Sequence, residues 1–322
     1  MNRKLLLLAL ALPFSIIPTA RALPTTGAEV TTPVQTISGE QLRGVSRIDE
    51  LFNLPNSLRP MVTDRGGPSP VTVGAGNVNV GWMTSYSFRN HNFVGSMSST
   101  FSEQIRVGLP TLEVGVLNNL DVQLWLPSFE VNNTLNKSPL GRDFNRESGF
   151  TDLTLGAKYS VLAGKDGYGW AHLGTGAIGW SVLSEVTFPT ASADIDNHDY
   201  YRGGFRSELD YICDCGWELR MANGVTFGEN DFGCWNACFC NDFYVHTPEF
   251  GQVISGYVGF ESTVSTSPRR DWEGYVNVGM IYKAQPNLQF FAETGITVTT
   301  DQPEIRFAAG IDWRFNAFPA VK

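Results

Sequence analysis

From Val71 to the end of the chain, apolar and polar residues alternate with a period of two. Across 151–161, Leu153, Leu155, Ala157, Tyr159 and Val161 share one face, and Asp152, Thr154, Gly156, Lys158 and Ser160 share the other. Near the end, Ile305, Phe307, Ala309, Ile311, Trp313 and Phe315 oppose Arg306, Ala308, Gly310, Asp312 and Arg314. Trp217, Leu219, Met221, Val225 and Phe227 oppose Glu218, Arg220, Ala222, Gly224 and Thr226 in the same way. Successive side chains of a strand point to opposite faces, so each segment predicts a strand with one apolar and one polar face. Segments of this kind are legible near 71–88, 101–117, 120–131, 150–162, 171–189, 203–214, 217–228, 243–264, 273–283, 287–299 and 303–315. The stretch 243–264 is long enough for a second hairpin, and single-chain bacterial barrels have even counts, so about twelve strands are expected.

Ahead of the strands the pattern differs. Asn2-Arg3-Lys4, the apolar run Leu5 to Ile17, and Ala20-Arg21-Ala22 form the three regions of a secretory signal peptide, with cleavage near Ala22. Residues 23–66 make a separate N-terminal segment: an extended arm over 23–37, then Leu42, Val45, Ile48, Leu51 and Phe52 at helical spacing behind the cap pair Ser38 and Gln41. The helix packs on the main domain, plugs it, or lies at an interface. The strands occupy 67–316, and 317–322 is a tail.

Two all-β architectures fit such strands. In a soluble sandwich the apolar faces meet each other. In an antiparallel transmembrane β-barrel they meet lipid, and the polar faces line the lumen. The barrel is favoured by strand length, by polar faces rich in Gly and in both charges, and by aromatics at strand ends such as Trp82, Tyr86, Phe88, Trp180 and Phe188. Turns also alternate, short at 117–120, 215–216 and 284–287, long over 132–149, 191–201 and 228–242.

Composition narrows the function. A net charge of −9 argues against a nucleic-acid partner, which needs a basic surface. Apolar content of 42% with 21 Phe and 8 Trp excludes disorder. By strand parity the lumen-lining candidates are Arg106, Asp121, Asp152, Lys158, Glu185, Arg206, Glu208, Asp210, Glu218, Arg220, Glu293, Arg306, Asp312 and Arg314, with Lys283 beside them. Their signs nearly balance, which favours charges paired across a filled lumen over a selective pore.

No metal or cofactor site is expected. Cys213-Asp-Cys215 and Cys234-x3-Cys238-x-Cys240 do not have zinc-ribbon spacing, and an oxidising compartment favours disulfides. The first pair falls at a short turn and the second group in a long loop, so a bridge from Cys234 to Cys238 or Cys240 is expected, leaving an odd thiol. None of the four His residues sits in a metalloprotease motif, and no Gly-x-Ser-x-Gly elbow occurs. A barrel hydrolase using His172 or His246 is the enzymatic alternative to a channel without chemistry, and a structural barrel with a filled lumen is the inert one.

In order along 58–315, Leu58-Arg-Pro-Met-Val-Thr-Asp-Arg65, Val73-Gly-Ala-Gly76, Val114-Gly-Val-Leu-Asn-Asn-Leu-Asp-Val122, Thr151-Asp-Leu-Thr-Leu-Gly-Ala-Lys-Tyr159, Glu185-Val-Thr-Phe-Pro-Thr190 and Tyr282-Lys-Ala-Gln-Pro-Asn-Leu-Gln289 carry a resemblance. The chain resembles the barrel family named for a MetA pathway of phenol degradation. The resemblance implies a monomeric outer-membrane channel of a Gram-negative-type bacterium, taking up small, hydrophobic or aromatic solutes. Its partners would be outer-membrane lipid and the barrel assembly machinery, whose C-terminal signal Gly310-Ile-Asp-Trp-Arg-Phe315 resembles. The stretch 213–240 is not part of the family pattern.

Overall fold

A computed structural model describes residues 69–92, 99–108, 110–138, 141–162, 170–195, 200–229, 235–251, 253–266, 272–298 and 304–318. The signal peptide, the segment 23–66 and its helical stretch lie outside the described residues.

Twelve antiparallel strands close on themselves. They are β1 (Asn77–Asn92), β2 (Ser99–Val107 and Thr111–Leu117), β3 (Leu120–Trp125 and Phe129–Ser138), β4 (Gly141–Phe150 and Leu153–Ser160), β5 (Gly176–Phe188), β6 (Arg202–Cys213), β7 (Glu218–Glu229), β8 (Trp235–His246), β9 (Ile254–Ser265), β10 (Glu273–Gln285), β11 (Leu288–Thr297) and β12 (Glu304–Asn316). Each pairs with the next, and β12 returns to β1 from Asn77↔Asn316 to Arg89↔Glu304. A short strand, Trp170–Leu173, fills the edge of β5 below β4. Closure leaves no unpaired edge around the ring, which a wall in hydrocarbon requires.

The two faces invert the arrangement of a water-soluble protein. Outside, Trp82, Leu155, Val186, Phe205, Met221, Phe243, Val258, Val278, Phe307 and Trp313 are exposed all round the ring. Inside, Asp121, Lys158, Glu208, Asp210, Glu218, Arg220, Asn277, Gln289 and Asp312 are buried. An apolar belt of this extent is stable only against lipid.

β2, β3 and β4 break together, at 108–110, 126–128 and 151–152. Between the pairs Gly81↔Thr111 and Thr84↔Val107, β1 advances three residues and β2 four, so β2 carries one extra residue. The bulge turns on Gly108, whose φ of +69° suits glycine and whose added Cβ would lie 2.9 Å from Trp82. Arg106 and Thr111 consequently share the inner face although their numbers differ in parity.

Two loop expectations are corrected. The stretch 132–149 is mostly hairpin, paired from Phe129↔Phe150 to Ser138↔Gly141. Its residues 141–148 are exposed on both faces, so its backbone ladder forms without the alternation that marks a half-buried strand. The stretch 228–242 is mostly strand as well: β7 runs to Glu229 and β8 starts at Trp235. The second hairpin expected within 243–264 is present, with β8 ending at His246 and β9 starting at Ile254.

Candidate functional site

The lumen is the site, and it is tiered. At the rim where the chain enters, residues 69–73 run inside the wall. Lys158 Nζ donates to Ser69 O at 2.9 Å, and Val73 N donates to Asp121 Oδ2 at 2.7 Å. Val71 packs on the buried cluster Trp170, Ala177 and Ile212. Lys158 also lies 3.5 Å from Glu208 and 3.9 Å from Glu113. Arg220 is held between Glu218 at 2.7 Å and Asp210 at 3.5 Å. Charges this deep are tolerated only when paired and hydrogen-bonded.

The middle tier is crossed from the opposite wall. Arg306 reaches Glu261 at 3.1 Å and Glu293 at 3.6 Å, with its guanidinium 5.2 Å from the Tyr275 ring centre. Tyr244 donates to Glu261, Tyr257 donates to Glu293 at 3.0 Å, and Asn277 Nδ2 donates to Tyr244 at 3.1 Å. Arg206 pairs with Asp242 at 3.4 Å. His246 is buried and stacks on Tyr257 at 5.2 Å.

Above these tiers the lumen opens into a cavity of about 430 Å³. Arg106–Glu130 and Arg202–Asp152 ion pairs line it, with Thr154, Thr187, Thr226 and Ile195. Glu185 projects into the same space and has no hydrogen-bond or ion-pair partner among the described residues. Gly204 keeps the floor open: a Cβ there would lie 3.0 Å from Glu185 Oε1 and 3.1 Å from Thr226. The cavity therefore presents hydroxyls and one unneutralised carboxylate.

The register puts Arg106, Asp121, Asp152, Lys158, Glu185, Arg206, Glu208, Asp210, Glu218, Arg220, Glu293, Arg306, Asp312 and Arg314 on the inward face. Asp312 receives Gln289 Nε2 at 3.4 Å, and Lys283 pairs with Glu249 at the rim. Parity reasoning missed Glu113, Glu130, Asp242, Glu261 and Glu304, and the bases Arg89 and Arg202. Glu130 was hidden by the break at 126–128, which reverses parity within β3. Asp242 was hidden by its place in an expected loop. These additions tilt the nearly balanced signs toward acid.

The cysteines depart from expectation. Cys213 and Cys215 are bridged within the β6–β7 turn, with Cα atoms 5.2 Å apart. Cys238 and Cys240 are free thiols. They sit on β8 opposite Thr226 and Gly224, facing the lumen, because the strand begins earlier than the loop reading allowed. Cys234 lies outside the described residues. A small charged thiol reagent applied to intact cells without reductant is expected to modify Cys238 and Cys240 and to spare Cys213 and Cys215. Labelling of the β6–β7 turn after gentle reduction, with the membrane intact, would show that the short turns face outward.

A closed twelve-stranded barrel, apolar outside and charged within, is a transmembrane β-barrel of the outer-membrane class. The chain belongs to the family described as "Putative MetA-pathway of phenol degradation", matched over residues 72–315. Among solved structures it is similar to an outer membrane channel from Pseudomonas putida F1, at 12% identity and a TM-score of 0.52, covering 79% of this chain and 100% of that one. It is also similar to the translocator domain of the autotransporter NalP from Neisseria meningitidis, at 9% identity and a TM-score of 0.41, covering 74% and 88%. The CymD monoaromatic hydrocarbon channel matches at 9% identity and a TM-score of 0.36, covering 76% and 89%. No curated protein matches the chain by sequence.

Proposed function

We propose that the protein is an outer-membrane channel for small aromatic molecules bearing hydroxyl groups, and that it performs no chemistry on them. One observation carries this reading: a polar lumen enclosed by a membrane-facing wall opens into a cavity of about 430 Å³, within the size range of small-molecule sites. The family description favours phenolic compounds. A phenolic hydroxyl can donate to Glu185, while Ile195 offers the ring an apolar contact. The fold of the Pseudomonas putida channel agrees with an outer-membrane location. Cleavage near Ala22 would release a chain that the barrel assembly machinery inserts as a monomer. Segment 23–66 would then act as a plug, since residues 69–73, which follow it, already run inside the wall.

The full chain in a planar bilayer is expected to pass a small current, which deletion of 23–60 enlarges. Catechol is expected to block that current. Glu185→Gln exchanges a charged hydrogen bond for a neutral one and should weaken the block about tenfold. A folded barrel that passes no current, with or without 23–60, would overturn the channel reading. Current that catechol leaves untouched would overturn the aromatic assignment alone.

A further inference from the structure

Beside the segment 69–73, the inner wall of β1, β2 and β3 gathers oxygen atoms. Asn79 on β1 is directly opposite Glu113 on β2, and Glu113 is directly opposite Gln123 on β3. Asp121 lies two residues from Gln123, on the same face. Asn79, Asp121 and Gln123 are 8%, 0% and 4% exposed. Gln123 Nε2 donates to Glu113 Oε1 at 2.6 Å, which leaves its own carbonyl oxygen over. Asn79 Oδ1, Asp121 Oδ1 and Gln123 Oε1 receive no hydrogen bond from any described residue.

The charges around them are unbalanced too. Glu113, Asp121 and Glu208 face one ammonium, Lys158, which is also taken up by Ser69 O. Arg220 already lies between Glu218 and Asp210. A proton on Asp121 would satisfy one oxygen and leave two amide oxygens without a donor. A buried water would supply hydrogen bonds but no charge. A divalent cation supplies both needs, and carboxylate oxygens together with amide carbonyl oxygens form the donor set that suits Ca²⁺. Mg²⁺, which keeps several waters, suits so dry a wall less well.

We propose that Asn79, Glu113, Asp121 and Gln123 form a Ca²⁺ site on the lumen wall, next to the chain segment that enters the barrel. The ion would join β1, β2 and β3 where Asp121 also holds Val73.

Tb³⁺ is a suitable probe, because Trp125 lies two residues from Gln123 on the same face and can sensitise its emission. In chelator-treated, refolded full-length protein, Tb³⁺ is expected to emit on tryptophan excitation and to be displaced by Ca²⁺ but not by K⁺. Gln123→Leu and Asp121→Asn should each weaken binding at least tenfold. Glu147→Gln, on the exposed hairpin of β4, should leave it unchanged. Asn79→Ser serves as the reading if either wall variant fails to show heat-modifiable migration. No sensitised emission from the folded protein would overturn the proposal. So would emission that the wall variants retain, which would assign the ion to surface carboxylates.

Discussion

Arginine at Val278 is expected to cost about 2–4 kcal/mol of barrel stability, the penalty for a cation near the bilayer midplane. Val278 lies in the middle of β10, is 55% exposed on the outer face, and pairs with Val258, itself 53% exposed. Tyr282 and Trp272 mark the belt toward its two ends. Arginine at Thr154 should be tolerated far better. Thr154 faces the cavity and exchanges a hydrogen bond with Thr187 at 2.8 Å, and the new guanidinium would enter a space that holds Glu185. Equilibrium unfolding in urea, read by heat-modifiable migration, compares the two. Equal losses would mean that the inner and outer faces have been exchanged.

Removing the Lys158 ammonium should have an effect of similar size, on assembly and on current together. Lys158→Met keeps the stem and leaves Glu208 and Glu113 without their buried counter-ion, a change that costs about 3–5 kcal/mol in such settings. It also removes the donor to Ser69 O, one of the two polar contacts that hold 69–73 inside the wall. Lower stability together with larger or noisier current is expected. Adding Glu208→Leu should restore part of the stability, because the partner charge is then absent as well, but should not restore the hold on Ser69. If Lys158→Met alone leaves both stability and current unchanged, the ammonium neither compensates the carboxylates nor holds the segment.

Much of this barrel is legible in the chain because the deciding signal is local. A strand exposes one face to hydrocarbon and one to the lumen, so the period-two pattern records both faces within a few residues. That pattern was sufficient to assign the all-β class, the strand number of twelve and the inward face of residues such as Lys158, Arg220 and Arg306. It failed where the face ceases to be a local property. The extra residue near Gly108 and the breaks at 126–128 and 151–152 reverse parity inside single strands, and so concealed Glu130. The hairpin of β3 and β4 meets water on both sides, so its residues carry no alternation even though its ladder is complete.

Which charges meet was decided by closure alone. Lys158 and Ser69 are 89 residues apart, and Arg89 and Glu304 are 215 apart. Register across twelve strands brings them together. Cys213 and Cys215 bridge because a tight turn holds them close, whereas Cys238 and Cys240 are placed on the lumen face by the start of β8. Local alternation determined that a barrel forms and which way most side chains point. Only the closed sheet, by juxtaposing distant strands, decided which side chains share the interior and leave Glu185 facing open space.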